Sequence, residues 1–175
     1  TTVPSAGTQS TAAGASTNSQ ANSNSEGLGV AASVAISVLD VTNIATISSN
    51  ANIKANGNVR VATSSNFDGD IKALSDSISL STSENDNSDH YAASLAFNYV
   101  NTESYAIVAG TATVQGTNVT IESNTGTTSN NALTNDFIVW AAAGSGGQGD
   151  FSFAGSVAIN VVDMEFKANT TSGSW

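Results

Sequence analysis

Residues 31–40 read AASVAISVLD, residues 92–101 read AASLAFNYVN, and residues 154–163 read AGSVAINVVD. Ser33, Ser94 and Ser156 are equivalent in these blocks, at spacings of 61 and 62 residues. The likeness runs on past the first two blocks. IATISSNANIKANGNVRVATSS (44–65) parallels YAIVAGTATVQGTNVTIESNT (105–125) with one deletion, which sets Val59 and Val61 against Val119 and Ile121. A single ten-residue match is weak evidence. Three matches at constant spacing, two of them with a matching continuation, define an internal repeat, and such periods mark stacked architectures. The third copy fades after Asp163 into MEFKANTTSGSW, with Asn169 standing where the second copy has Ile107. The organisation read from this is a low-complexity segment over 1–26, an edge or donor strand, followed by one β-repeat domain over 27–175. Its units are 31–91, 92–153 and a partial 154–175.

Each block alternates. Val34, Ile36 and Val38 point one way and Ser33, Ala35 and Ser37 the other, which is the period-two signature of a strand. The same large apolar face recurs as Leu95, Phe97 and Tyr99, and as Val157, Ile159 and Val161. These nine residues are the predicted core. The opposite face carries Ala35, Ala96 and Ala158, small enough for another layer to approach closely. Ser37, Asn98 and Asn160 share one position there and predict a polar ladder if the copies stack directly. A second strand is predicted over 44–54 and 105–115, and a short third over 59–63 and 119–123. Asn56-Gly57 and Gly116-Thr117-Asn118 read as tight turns. A fourth segment contains Ile71 to Leu80 in one copy and Phe137 to Trp140 in the next. The turn-rich stretches at 85–89 and 144–150 then predict hairpin joins to the following copy. Residues 9–20 hold the place of the fourth segment and are balanced between strand and disorder.

Composition agrees with an all-β class. Lys and Arg number 4 against 14 Asp plus Glu, a net charge of −10, and only 10% of residues are charged; an ordinary soluble domain carries about 25%. Ser, Thr and Asn, abundant here, compete with the helical backbone for hydrogen bonds, while β-branched residues favour strands. The acidic balance excludes a phosphate-backbone partner and disfavours anionic lipid. There is no cysteine, so disulfides and thiolate metal sites are excluded. No apolar run approaches the ~20 residues of a membrane-spanning helix, so no membrane insertion is expected. The N-terminus lacks the basic start and apolar core of a cleavable leader.

The string (A/G)-x-S-V-A-(I/F)-(S/N)-V-V-(D/N), followed by A-x-(I/V) and N-V-x-(V/I), resembles the repeats of large secreted bacterial surface proteins, the filamentous-haemagglutinin-like and leukotoxin-like filamentous adhesins. The resemblance covers residues 27–163 and carries no catalytic motif. It implies a right-handed parallel β-helix and a role in adhesion or extracellular fibres. The unit here is far longer than the coil usual in that family. Either several coils make one unit, or each unit is one large coil with a hairpin arm. The expected fold is therefore an all-β, repeat-built β-solenoid with hairpin joins. The alternative is an antiparallel β-sandwich of the kind found in pilin-like subunits.

Little in the chain points to catalysis, and no enzymatic activity is expected. His90 is the only imidazole, no G-x-S-x-G elbow accompanies it, and it reads as an exposed loop residue. Trp140 and Trp175 could stack on sugar, but Trp140 reads more simply as core or interface. Asp68, Asp70, Glu84, Asp86 and Asp89 cluster hard oxygen ligands in two turns and are the candidate calcium ligands; the alternative is a pair of solvated acidic turns. No other cofactor is implied. Asn118 and Asn169 fit the N-glycan acceptor pattern. The function expected is that of an extracellular or cell-surface structural protein, serving adhesion, a filament or a biofilm matrix. Its partner is either itself, in a head-to-tail homopolymer, or a host or neighbour cell surface. The incomplete units at the two ends favour the polymer. A stalk fragment of a giant adhesin and a carbohydrate-binding or carbohydrate-cleaving β-helix are the alternatives.

Overall fold

The computed structural model describes residues 6–7, 16–23, 28–79, 89–125, 135–146 and 151–171. These residues form strands and turns, with no helix among them. In chain order the strands are β1 (Ala6–Gly7), β2 (Ser16–Ser23), β3 (Leu28–Ile47), β4 (Asn52–Lys54), β5 (Val59–Ser65), β6 (Gly69–Ser79), β7 (Asp89–Val108), β8 (Thr113–Gln115), β9 (Val119–Thr125), β10 (Phe137–Gly146) and β11 (Phe151–Thr170).

The repeat in the sequence is the repeat in space. Among the described residues every pairing is parallel and joins equivalent strands of successive units. Four sheets result, in the orders β3-β7-β11, β2-β6-β10, β1-β5-β9 and β4-β8. Ser33 pairs with Ser94 and Ser94 with Ser156, and Val61 pairs with Ile121, as the alignment of the blocks requires. Each unit meets the next once, so a unit is a single circuit of chain. The segment 16–23 is a strand on the edge of β6, in the place of the fourth strand; residues 8–15 lie outside the described residues.

Two predicted features give way. The predicted first and second strands are one strand of 20 residues, β3, with counterparts in β7 and β11. It ends at a turn in which the Ala51 N–H donates to the Ser48 carbonyl at 3.2 Å. Asn50 holds φ 64° there, a left-handed conformation that Asn tolerates better than most residues. The hairpin joins and the antiparallel sandwich are also set aside. β6 pairs with β2 and β10, and β7 with β3 and β11, never with each other. Gly144–Gly146 lie inside β10, and Asp89 opens β7; residues 80–88 and 147–150 lie outside the described residues. The chain leaves one sheet and enters the facing one, so the strands flanking these joins sit in different layers and cannot pair. Asn56-Gly57 likewise turns a corner between β4 and β5, which belong to different sheets.

Two apolar clusters tie the layers together. The first halves of β3 and β7 supply Ala35 and Ala96, which pack on Ile71 and Ala73 of β6. The second halves supply Ala45, Ile47, Ala106 and Val108, which pack on Val61 of β5. The chain thus runs out along a long strand, turns through 48–58, and returns across it as β5 and then β6.

The predicted core face is the wrong one of the two. Val34, Ile36, Val38, Tyr99, Val157, Ile159 and Val161 are exposed, Val38 at 66%, and Leu95 and Phe97 are only half-buried. Ala35, Ala96, Ser33, Ser94 and Asn98 are buried instead. Volume explains the inversion. Ile71 already fills the space from the returning side, so only small residues fit opposite, since interiors pack at nearly crystalline density. Burying an Ile or Phe is worth ~1.5–3 kcal/mol. A layer of Ala and Ser gains less by transfer, so the long ladders of backbone hydrogen bonds and close dispersion contacts carry more of the cohesion.

Candidate functional site

The residues singled out for chemistry are dispersed. Asp68 is exposed in the corner before β6, where its Oδ1 accepts the Asp136 N–H at 2.9 Å. Asp70 is exposed on β6 and accepts from Lys72 Nζ at 2.5 Å. Asp89 opens β7 in another sheet, between Leu28 and Phe151. Glu84 and Asp86 lie outside the described residues. Among the described residues no three His, Asp or Glu side chains converge to hold a metal ion. Asp68 has a structural task in this arrangement. Together with the Asn135 Oδ1, which accepts the Phe67 N–H at 2.8 Å, it stitches one corner to the next unit's corner.

His90 is not an exposed loop residue. It is an inward residue of β7 with 0% exposure, its Nδ1 3.3 Å from the Ser77 hydroxyl. Gly29 lies against it on the neighbouring strand. A Cβ there would meet His90 Nδ1 at 2.7 Å and Ser77 Oγ at 2.8 Å, so the imidazole needs glycine at this point. Trp140 is not core: it is 45% exposed on the outer side of β10. Trp175 lies outside the described residues. Asn169 is exposed on β11. Asn118 donates through Nδ2 to Asn58 Oδ1 at 2.9 Å.

That contact belongs to a set of ladders between equivalent positions. Asn98 Nδ2 donates to Asn160 Oδ1 at 2.9 Å, the inner ladder that the sequence predicts. Thr63 Oγ1 donates to Ser123 Oγ at 2.9 Å. Off this register, Arg60 pairs diagonally with Glu122, which stands opposite Ala62. Asn101 Nδ2 reaches Asp40 Oδ1 at 3.2 Å.

The outer face of the long sheet is divided along its length. Its first half, facing outward from 28–38, 89–99 and 151–161, is apolar and carries no charge except Asp89 at its border. Tyr91 and Phe151 tilt against each other there with ring centroids 5.8 Å apart. Its second half is polar and acidic, with Asp40, Glu103, Asp163 and Glu165. Tyr105 donates its hydroxyl to Glu165 Oε2 at 2.5 Å, and Lys167 pairs with the same carboxylate and lies over the Tyr105 ring, 5.7 Å from its centre. Hydrogen bonds from Lys167 and then Tyr105 hold the Glu165 carboxyl below its ordinary range. The bond to Glu165, followed by burial and the charge of Glu103, pushes the Tyr105 phenol above its ordinary value.

The sheet edges are the other candidate surface. At one end β11 stands one strand beyond β9 and β10; at the other, β1 and β2 stand one strand beyond β3. The two ends are therefore complementary steps, each offering N–H and C=O rows that no strand among the described residues pairs with. No protein-family model, curated protein or solved structure matches this chain.

Proposed function

We propose that this chain is part of an extracellular, non-enzymatic β-solenoid of a bacterial-type surface protein, and that its stacked units serve adhesion or filament formation. The observation that carries this reading is the in-register parallel stacking of equivalent strands, which leaves complementary stepped ends. A further copy placed on the β11 end pairs its own β3 with β11 and its β2 with β10. Main-chain hydrogen bonds supply the attraction, and a head-to-tail contact of this kind extends into a filament. The same edges accept the next unit of a longer polypeptide equally well, which is the stalk reading. The likeness of the repeat to filamentous adhesins supports both.

Electron microscopy of the full chain and of a chain lacking residues 1–26 tests the polymer. The expected result is filaments whose number falls sharply when β2 is removed, because the step loses its mate for β10. Filaments unchanged by the deletion overturn strand addition through this segment. A chain that stays monomeric at high concentration overturns self-assembly and leaves the stalk.

A further inference from the structure

The apolar half of the long sheet's outer face has no covering layer among the described residues. We propose that it is a lateral interface between two copies of this chain, packed sheet on sheet side by side. Strand rise and spacing give this half a plan of about 33 by 14 Å. Its protruding side chains, such as Ile36 at 58% exposure, Val38 and Phe153, carry on the order of 1,000 Å² of accessible surface. A stable interface uses ~800 Å² per partner, and the largest apolar patch on an ordinary monomer is about 300–600 Å².

Charge selects the occupant and the geometry. A chain of net charge −10 tends to repel its own copies, and this half is a broad surface with no charge but Asp89 at its border. A two-fold axis parallel to the strands sets Asp40, Glu103, Asp163 and Glu165 against the same residues of the second copy. A two-fold axis along the stacking direction, passing near Val34, Leu95 and Val157, superposes the apolar halves and sends the acidic halves to opposite sides. That second axis is the one the charges permit. It also keeps both stacks pointing the same way, so every added unit contributes one more apolar strand to the contact. Side chains of the two faces then interdigitate as in aligned sheet packing. The interface does not depend on end-to-end growth.

The chain has no cysteine, so a single introduced thiol reports its own neighbourhood. Val34→Cys, beside the axis, is expected to form an inter-copy disulfide on mild oxidation. Thr46→Cys, at the far end of the acidic half, is expected to form none. In sedimentation velocity, at concentrations below filament growth, the unmodified chain is expected to dimerise. The triple variant Ile36→Lys, Tyr99→Lys, Val157→Lys, whose positions face Phe97, Val38, Val161 and Leu95 rather than one another, is expected to lose the dimer while keeping its circular dichroism. If that variant misfolds, the disulfide pair still decides. Equal cross-linking at positions 34 and 46, or a monomer at the highest soluble concentration, overturns the proposal. Binding of a monomeric chain to phosphatidylcholine vesicles through this face also overturns it and assigns the face to lipid. Long filaments one stack wide, with no cross-link at position 34, overturn the lateral contact and leave end-to-end assembly standing.

Discussion

Ala96 and Phe97 are neighbours in β7, yet the alanine is wholly buried and the phenylalanine is half-exposed. The same reversal holds at Ala35 and Ile36 one strand away. Hydrophobicity alone puts the phenylalanine and isoleucine inside. What decides instead is the room left by the facing layer. β6 brings Ile71 into the gap, so the long strand can turn only its small face inward. The comparison teaches that alternation identifies two faces, while complementary volume across the gap chooses between them.

The strongest way to break the comparison is to truncate one phenylalanine on each side. Phe67→Ala removes a fully buried ring and is expected to cost ~3–5 kcal/mol. Phe97→Ala removes mainly cross-strand contacts on an outer face and is expected to cost about 1 kcal/mol or less. Denaturant melts at concentrations where the chain is monomeric measure both. Equal losses show that the outer face is covered within one copy.

Enlarging the inner layer comes next. Ala96→Leu forces extra volume against Ile71 and Ala73, and overpacking of this kind costs ~1–3 kcal/mol. A methylene added on the outer side, Val34→Ile, is expected to change the melt by a few tenths of a kcal/mol. An Ala96→Leu variant as stable as the parent breaks the argument from volume.

A smaller effect of opposite sign sharpens it. Ser33, Ser75, Ser94 and Thr102 bury hydroxyls that find no hydrogen-bond partner among the described residues. A buried polar group without a partner costs about 1–3 kcal/mol. Ser94→Ala keeps the small volume and removes that cost, so a gain of up to about 1 kcal/mol is expected. Ser152→Ala, on the exposed end strand, is expected to change nothing measurable.

The smallest effect lies in the acidic half. The Glu165 carboxyl is lowered by Lys167 and Tyr105, so its contribution to stability is complete above the unfolded value of about 4.3 and is lost as pH falls through the lower native value. The Tyr105 phenol is raised, so its contribution is complete below about 10 and is lost as pH rises through the native value. Tyr105→Phe removes one donor to Glu165. The Glu165 titration, followed by carboxyl carbon resonances, is expected to move up in pH, and the most basic tyrosinate transition in the absorbance titration to vanish. A Glu165 curve unmoved by the substitution breaks the coupling.

Much of this was legible in the chain. The three blocks at 31–40, 92–101 and 154–163 set the register that the strands adopt residue for residue, because identical spacing lets equivalent backbone groups meet at every level. The ladder of Asn98 on Asn160 followed from the same spacing. The hairpin joins were misread because Gly, Asn and Asp mark a change of direction without saying which sheet the chain enters next. His90 was misplaced because its neighbours Asn87, Ser88 and Asp89 are turn residues, while the glycine that makes room for its ring is Gly29, 61 positions away. The sequence by itself determined the strand period, the repeat and which residues of successive copies correspond, since these depend on local alternation and constant spacing; that the copies pair in parallel was only what the family resemblance implied. Only the tertiary structure decided which face of the long strand is interior and which apolar surface remains outside, because that choice rests on volumes brought together from Ala35, Ile71 and Ala96, which lie far apart along the chain.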